Sequence, residues 1–232
     1  TRLERLLAAH RFAAVLPTRP GPLVVLDMSE ANPRMAEVDP ADEATFSAYV
    51  EALLEDHHAD VGIGRWGEDR VIYRHSSLFD GAGEARTVHL GRDLFAPAGT
   101  PVHAPLAGVV HSLGDNAAAG DYGPTVILEH ELEGVRFWTL YGHLARTSLD
   151  LHPAGAPVAA GELLAHLGGP GENGGWPPHL HLQVIADLEG RRGDFPGVAA
   201  PSAARRYLEL CPDPAPLLGR ADLVDLDRRP LR

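Results

Sequence analysis

The sequence contains no lysine, because all 20 of its basic residues are arginines. It therefore lacks the amine that Schiff-base enzymes use and the lysine of a phosphate-binding P-loop. Cys211 is its only cysteine, which excludes an intrachain disulfide and a metal site made of several thiolates. Apolar runs are short as well, and none approaches the roughly 18 residues that indicate a membrane-spanning helix.

Positive charge is also outnumbered, with 32 acidic against 20 basic residues and a formal net charge of -12. This balance predicts neither a nucleic acid nor an anionic membrane surface as partner, because both usually need a basic stripe. The first 20 residues lack the uninterrupted apolar core of a signal peptide, which predicts a cytoplasmic protein as the sequence stands. A leader removed before Thr1 would instead predict the cell envelope. The sequence leaves the oligomeric state open.

The chain has 232 residues, of which 44% are hydrophobic, so it is long enough for one core and an appendage. We divide it into an N-terminal α/β extension packed on the core (residues 1–80), a central domain (81–200) and a C-terminal helix with a proline-rich tail (201–232). In the extension, residues 22–28 predict a buried strand. Asp39 and Pro40 offer an N-cap and a first-turn proline for a helix from about Asp42 to Leu54. The tail follows a short helix, Ala203 to Leu210, and we interpret it as an exit linker.

The central region, from about Arg86 to Asp187, consists of short β-rich runs separated by glycine, proline, asparagine and aspartate. No stretch of it predicts a long helix. The expected fold is mainly β within an α+β chain, as an antiparallel β-sandwich or a partly closed barrel.

Two histidines interrupt an apolar run in WPPHLHLQV, residues 176–184. If this run is a strand, alternate side chains point to opposite faces, so His179 and His181 share a face and Leu180, Leu182 and Val184 share the other. The two rings then point to one spot. Taken alone, the pair also fits one solvent-facing ring and one structural hydrogen bond.

HLGRD places His89 and Asp93 four residues apart, where both side chains can reach one ion. With one nitrogen of the His-x-His strand they would form a three-ligand site with an open position, as in catalytic zinc sites. Imidazole and carboxylate without thiolate suit zinc better than calcium or magnesium. Alone, HLGRD also fits a turn in which Asp93 caps its own backbone.

A third histidine, His143 of LYGHL, follows the apolar run FWTLY. It is therefore expected at a strand end, on the same face as Tyr141 and Thr139. At the edge of a metal pocket it would hydrogen-bond a metal-bound water or a developing oxyanion. In isolation it fits a packed structural residue equally well.

In this order and in a glycine-rich β region, H-x-x-x-D, Y-G-H-L and H-x-H resemble the M23 family of zinc metallopeptidases, which includes lysostaphin-like and LytM-like endopeptidases of peptidoglycan. GTPVHAPLAGVV and GDYGPTVILEH are similar to the connecting strands of that family, and the resemblance covers roughly residues 86–187. It implies the M23, or duplicated hybrid motif, fold and hydrolysis of an amide, with peptidoglycan peptides as the default substrate. The implied site is one Zn²⁺ per chain on His89, Asp93 and His181, with His143 and His179 as catalytic residues.

The phrases VGIGRWGEDRVIY, RTVHLGRDLF and NGGWPPHLHLQV also resemble the M23-like middle segment of large fusion chains, which join a phosphotransferase-like domain to a class III aminotransferase. Arg92 departs from the family pattern, which usually has a small or aliphatic residue there. Two alternatives to hydrolysis therefore stay open. One is a metal-binding module that recognises a non-peptidoglycan ligand or regulates a partner domain, and the other is a phosphocarrier with a reactive histidine.

Overall fold

The computed structural model describes residues 1–17, 22–39, 42–73 and 84–218. Within these ranges the chain forms three α-helices and twelve β-strands. None of these helices combines the length and hydrophobicity that crossing a membrane requires. The helices are α1 (Arg2–Ala9), α2 (Glu43–Asp56) and α3 (Ala204–Leu210). The strands are β1 (Leu23–Leu26), β2 (Val61–Gly64), β3 (Val88–His89), β4 (Arg92–Phe95), β5 (Pro101–His103), β6 (Gly108–Asn116), β7 (Gly123–Leu132), β8 (Val135–Gly142), β9 (Pro157–Val158), β10 (Leu163–His166), β11 (His179–Ile185) and β12 (Val198–Ala199).

Eight strands form one large sheet in the order β1-β2-β4-β11-β8-β7-β6-β9. Its neighbours are antiparallel except for β1 and β2, which are parallel. Two small ribbons, β5 with β10 and β3 with β12, complete the β-structure of the described residues. The mainly β prediction is confirmed. The sheet is mixed rather than purely antiparallel, and it is open, because its end strands β1 and β9 do not pair with each other.

Strand β11 lies inside the sheet, between β4 and β8, and all seven of its residues are buried. Its polar residues His179, His181 and Gln183 alternate with apolar ones, so one of its two buried faces is polar and the other is apolar. Leu180, Leu182 and Val184 belong to the largest hydrophobic core cluster. His179 and His181 point to the other face, which confirms the face assignment made from the alternation.

The N-terminal segment joins this sheet through β2, which pairs with β4. Helix α2 packs beside it and buries Phe46 and Val50 in a second core cluster, which also contains Trp176. The helix begins at Glu43, and its N-cap is Asp42, whose carboxylate accepts hydrogen bonds from the amides of residues 44 and 45. The N-cap predicted at Asp39 is therefore wrong, and Pro40 lies outside the described residues.

The C-terminal segment contains α3 at the predicted place. Between α3 and Leu218, however, the chain packs against the core and is not an exposed linker. Cys211 and Leu217 are buried in the core. Asp213 accepts two hydrogen bonds from the guanidinium of Arg92, at 2.6 Å from Nε and 2.9 Å from Nη2. Because Arg92 is fully buried in β4, its charge requires a partner, and the tail supplies one. Residues 219–232 lie outside the described part of the chain.

We expect Asp213→Ala to lower the free energy of unfolding by about 3 kcal/mol, because it leaves the buried Arg92 guanidinium without its carboxylate. Urea unfolding followed by fluorescence measures this change. The control is Glu209→Ala in the same segment, which breaks an exposed ion pair with Arg205 and should cost less than about 0.5 kcal/mol. Equal effects of the two substitutions would contradict a stabilising role of the tail contact.

Candidate metal centre

The pairing of β4 with β11 and the short connection from β3 to β4 bring the predicted ligands together. In the antiparallel register of β4 with β11, Asp93 lies opposite His181, and on the other side of β11 His181 lies opposite Gly142. His89 ends β3, and residues 90 and 91 separate it from β4. This short break lets His89 and Asp93 approach the same ring of β11 from two strands.

The ligand atoms of these three residues lie within hydrogen-bond distance of one another. His89 Nε2 is 3.0 Å from His181 Nδ1 and 3.3 Å from Asp93 Oδ1, and His181 Nδ1 is 3.2 Å from the same oxygen. Two ligand atoms of a tetrahedral zinc ion, each about 2.0–2.1 Å from the metal, lie roughly 3.3 Å apart. All three side chains are buried. The spacing, burial and N, N, O donor set therefore fit zinc, with a fourth position open.

The outer nitrogen of each ligand histidine has an acceptor that fixes its tautomer. His89 Nδ1 lies 2.8 Å from the carbonyl oxygen of Arg65, and His181 Nε2 lies 2.9 Å from Gln183 Oε1. Both acceptors lack a proton, so these ring nitrogens are the donors. The lone pairs of His89 Nε2 and His181 Nδ1 are left for a metal ion, which is the arrangement that orients histidine ligands in metal sites.

Gln183 is a site residue that the sequence reasoning missed. Its amide nitrogen donates to the carbonyl of Pro196 at 3.1 Å and to Cys211 Sγ at 3.2 Å, which turns Oε1 toward His181. The available signal was spacing, because Gln183 follows His181 by two residues on the same face of a strand.

The carboxylate of Asp93 is shared between the ligand cluster and a buried arginine. Its Oδ1 faces the two histidines, and its Oδ2 accepts a 2.6 Å hydrogen bond from Arg70 Nη1. Burial raises the pKa of Asp93, but its interactions with His89 and Arg70 outweigh burial and hold that pKa well below the usual range. Burial lowers the pKa of His89 to about 3, so this ring stays neutral at pH 7. Asp93 and His89 are therefore in the protonation states that a metal requires.

The two further histidines lie beside this cluster. The rings of His143 and His179 are 4.2 Å apart, and His179 Nε2 is 3.8 Å from Asp93 Oδ1. Their Nδ1 atoms donate to the carbonyls of Asn173 at 2.8 Å and Pro177 at 2.7 Å, respectively. Each Nε2 is consequently the unprotonated nitrogen of a neutral ring. Burial lowers the pKa of both rings, that of His143 strongly.

The side of the sheet predicted for His143 is wrong. His143 follows β8 as expected, but its φ of 61° lies in the left-handed region. This turn directs the ring toward His179, whereas Tyr141 packs on the opposite face in the core with Leu182. A change of backbone conformation at the strand end therefore breaks the alternation on which the prediction depended.

Two motif glycines make room for the rings. A Cβ added at Gly91 would lie 2.6 Å from Cε1 of His181, and one at Gly142 would lie 2.6 Å from the ring of Tyr122. Tyr122 itself lies beside the site, with its hydroxyl 3.5 Å from His181 Nε2. Its motif, GDYGPTVILEH, predicted a connecting strand and no role in the site.

A pocket of about 260 Å³ contains the three ligands and both further histidines. Part of its wall comes from the N-terminal segment, through Phe46 and Tyr73. Trp176 of the central domain packs edge-to-face on both rings, with centroids 6.4 Å and 6.0 Å away. The indole thus joins the extension to the loop that precedes β11. A substrate that reaches the histidines would contact both parts of the chain.

A known family model matches the part of the chain that contains these residues. Residues 87–192 match the family model "Peptidase family M23", which bears out the resemblance and supports an M23 peptidase domain in the chain. All five predicted site residues lie in the matched segment. The match also supports a metallopeptidase as the class of this domain. Arg65, Arg70 and Asp213 lie outside it.

Curated relatives include DD-carboxypeptidase/endopeptidase Mpg of Neisseria meningitidis serogroup B and of Neisseria gonorrhoeae, each 36% identical over 115 residues. That alignment covers 50% of this chain but 24% of the relatives, so the chain matches about a quarter of their length. Among solved structures, the catalytic domain of lysostaphin from Staphylococcus simulans is 24% identical, with 60% of this chain and 86% of that domain covered and a TM-score of 0.41. A zinc-containing peptidase from Vibrio cholerae is 29% identical, with 48% and 30% covered and a TM-score of 0.35.

We expect the purified chain to bind about one zinc ion. Alanine at His89, Asp93 or His181 should remove most of it, because only two protein ligands would then hold the ion. His143→Ala and His179→Ala are the controls, and both should keep the metal. Metal content after dialysis, measured by mass spectrometry, is the readout. Full zinc occupancy in all three ligand variants would contradict the assignment.

Proposed function

We propose, from the M23 peptidase-family match over residues 87–192, that this chain is a zinc-dependent metallopeptidase that hydrolyses peptide amides, with peptidoglycan peptides as the default substrate. One observation carries this proposal. Three ligand atoms with free lone pairs converge in a pocket that also receives two neutral histidine rings. In this assignment His89, Asp93 and His181 hold one Zn²⁺, and His143 and His179 are catalytic residues.

Bound zinc supplies Lewis-acid polarisation of the scissile carbonyl and lowers the pKa of a water molecule to about 7. The remaining chemistry belongs to the two histidines. A neutral imidazole with a free Nε2 accepts a proton from the attacking water and returns it to the leaving amine. The neighbouring ring, 4.2 Å away, can donate to the developing oxyanion only when its Nε2 carries a proton, because its Nδ1 proton is already donated to a backbone carbonyl. Both rings have the same tautomer, so the geometry allows either assignment of the two roles.

The hydrogen bonds of the two histidines favour hydrolysis over binding alone. A module that only held a metal would need the three ligands, but it would have no use for two more buried rings whose Nδ1 protons are fixed by backbone carbonyls. Burying two imidazole rings that face one pocket costs free energy. A role in proton transfer explains why the fold keeps them there. The name DD-carboxypeptidase/endopeptidase of the Neisseria relatives supports a peptide as the substrate class. The resemblance to the middle segment of fusion chains stays a prediction.

The direct test is digestion of purified peptidoglycan, with new amino groups counted and products identified by mass spectrometry. We expect release of peptides by the zinc-loaded chain, loss of release with a chelator, and recovery when zinc is restored. His143→Ala and His179→Ala should each lower the rate by about 10²–10⁴-fold, the usual contribution of a positioned acid or base.

The control for these variants is their metal content, which separates lost chemistry from lost zinc. A chain that keeps zinc but releases nothing from peptidoglycan or from a panel of short peptides would contradict hydrolysis. The non-hydrolytic binding module would then be the better assignment.

Activity should persist below pH 6.5, the approximate pKa of an unperturbed histidine, because burial lowers the pKa of His143 and His179. The base form of each ring is neutral, so activity falls only when the pH drops through the lowered pKa in the folded chain. Unfolded chains take up these protons at higher pH, so the folded state also loses stability as the pH falls below about 6.5.

A pH–rate profile with bound zinc measured at every point tests this expectation. The zinc measurement is needed because protons compete with the metal for histidine ligands. An acid limb centred at or above pH 6.5 with zinc still bound would rule out the buried neutral rings as the proton acceptors.

A further inference from the structure

The segment from Gly64 to Tyr73 lies outside the family match, yet it contacts the outer atoms of two of the three candidate ligands. The carbonyl of Arg65 accepts from His89 Nδ1 at 2.8 Å, and Arg70 Nη1 donates to Asp93 Oδ2 at 2.6 Å. Both contacts are on the side of each ligand that faces away from the cluster. They therefore restrict how the two ligands can rotate without occupying the metal position.

Arg70 is itself held at several atoms. It is 1% exposed, and its Nε donates to Glu68 Oε2 at 3.0 Å. Its Nη1 also donates to the hydroxyl of Tyr73 at 3.1 Å, and its Nη2 donates to the carbonyl of Arg65 at 3.3 Å. A guanidinium fixed in this way has one orientation, and that orientation presents Nη1 to Asp93. Arginine can make several hydrogen bonds from one planar group in this way, and lysine cannot.

The backbone of β2 passes very close to this ion pair. A Cβ added at Gly64 would lie 2.6 Å from Arg70 Nη2 and 2.9 Å from Asp93 Oδ2. Both atoms belong to buried side chains that have other partners, so they have little freedom to move aside. The glycine is thus required by the Arg70–Asp93 contact itself.

We propose that Arg70 is a positioning residue of the metal centre, which holds Asp93 so that Oδ1 alone faces the metal position. The proposal extends the proposed function and rests on it, because Asp93 is assumed to be a ligand. It also means that the N-terminal extension is part of the metal centre.

Without Arg70, the Asp93 carboxylate would lose its fixed orientation. With Oδ2 unpaired, the buried carboxylate would have an unsatisfied oxygen, and either oxygen could turn toward the histidines. A ligand carboxylate fixed by an outer hydrogen bond binds metal more tightly because less order is lost on binding. The positive charge of Arg70 opposes the charge of a metal, but it lies between two carboxyl groups, Asp93 and Glu68. We therefore expect orientation to dominate over charge repulsion.

The test is zinc affinity, measured by competition with a chromophoric chelator, in the full chain with Arg70→Met and Arg70→Lys. Loss of an outer-shell partner typically weakens metal binding by about 10–100-fold, and we expect Arg70→Met to fall in this range. Arg70→Lys keeps the charge but loses the planar set of hydrogen-bond donors, so a smaller loss of zinc affinity is expected. The absorption spectrum of the cobalt-substituted chain, which reports coordination geometry, should change in Arg70→Met.

Arg92→Met is the matched control. Arg92 is equally buried and also pairs with a carboxylate at 2.6 Å, but its partner is Asp213 on the other side of β4. It should lower stability while leaving zinc affinity and the cobalt spectrum unchanged. If Arg70→Met and Arg70→Lys both bind zinc as tightly as Arg92→Met, the positioning role is overturned.

A second pair of variants tests the same contact without changing a charged residue, and it decides the question if Arg70→Met does not fold. Gly64→Ala should weaken zinc binding, because its Cβ displaces the ion pair. Gly62→Ala, on the same strand, meets Leu26 Cδ1 at 2.5 Å instead and should change stability alone. Equal zinc affinity in both glycine variants would count against the proposal.

These outcomes separate the two assignments. If the unmodified chain binds no zinc, or if Asp93→Ala still binds it fully, the metal assignment itself fails. If the unmodified chain binds zinc through Asp93 and hydrolyses peptides, but the Arg70 and Gly64 variants bind zinc as their controls do, the positioning inference alone fails.

Discussion

The site depends on the register of one strand pair, β4 with β11. That register sets Asp93 opposite His181. Because side chains alternate between the two faces of a strand, it also fixes the face to which every side chain of both strands points. A slip of β11 by one residue would turn His181 to the face of Leu180, and a slip of β4 by one residue would turn Arg92 into the pocket. Burial of Leu180 and Leu182 in the large core holds the register, because a slip of β11 would move these apolar side chains to the polar face. The hydrophobic core and the ligand geometry are therefore enforced by the same strand.

Burial of so many titratable groups is stable only because each has a specific partner. Four histidine rings lie in the pocket, and each has one nitrogen bonded to a carbonyl or amide oxygen. These acceptors fix the tautomers, so the remaining nitrogens all face the same space. An unpaired ring nitrogen or carboxylate oxygen at this depth would cost roughly 1–3 kcal/mol. The outer partners thus determine both the stability of the buried site and the direction of its lone pairs.

The sequence predicted the parts of the site that depend on short spacing. Alternation placed His179 and His181 on one face, and the four-residue interval of HLGRD placed His89 near Asp93. It did not predict the direction of His143, because a left-handed residue reverses the side to which a strand end points. Periodicity cannot carry information about such a single backbone change.

The outer partners were unpredictable for a different reason. Arg70 reaches Asp93 across 23 residues, and Asp213 reaches Arg92 across 121 residues. No local pattern records these contacts, since both depend on how segments outside the central domain dock onto the sheet. The same limit explains why the tail was interpreted as a linker although Cys211 and Leu217 are buried.

Because of these contacts, the unit that would carry out the chemistry is larger than the segment that resembles a known family. Without residues before 87, β4 would become an edge of the sheet, because β2 is its neighbour there. Asp93 Oδ2 would then lose Arg70, and His89 Nδ1 would lose the carbonyl of Arg65. An edge strand exposes unpaired backbone groups and is held less firmly, which is a poor place for a metal ligand. The extension thus covers that edge and contacts two candidate ligands, so the candidate site belongs to the combined sheet rather than to the matched segment alone.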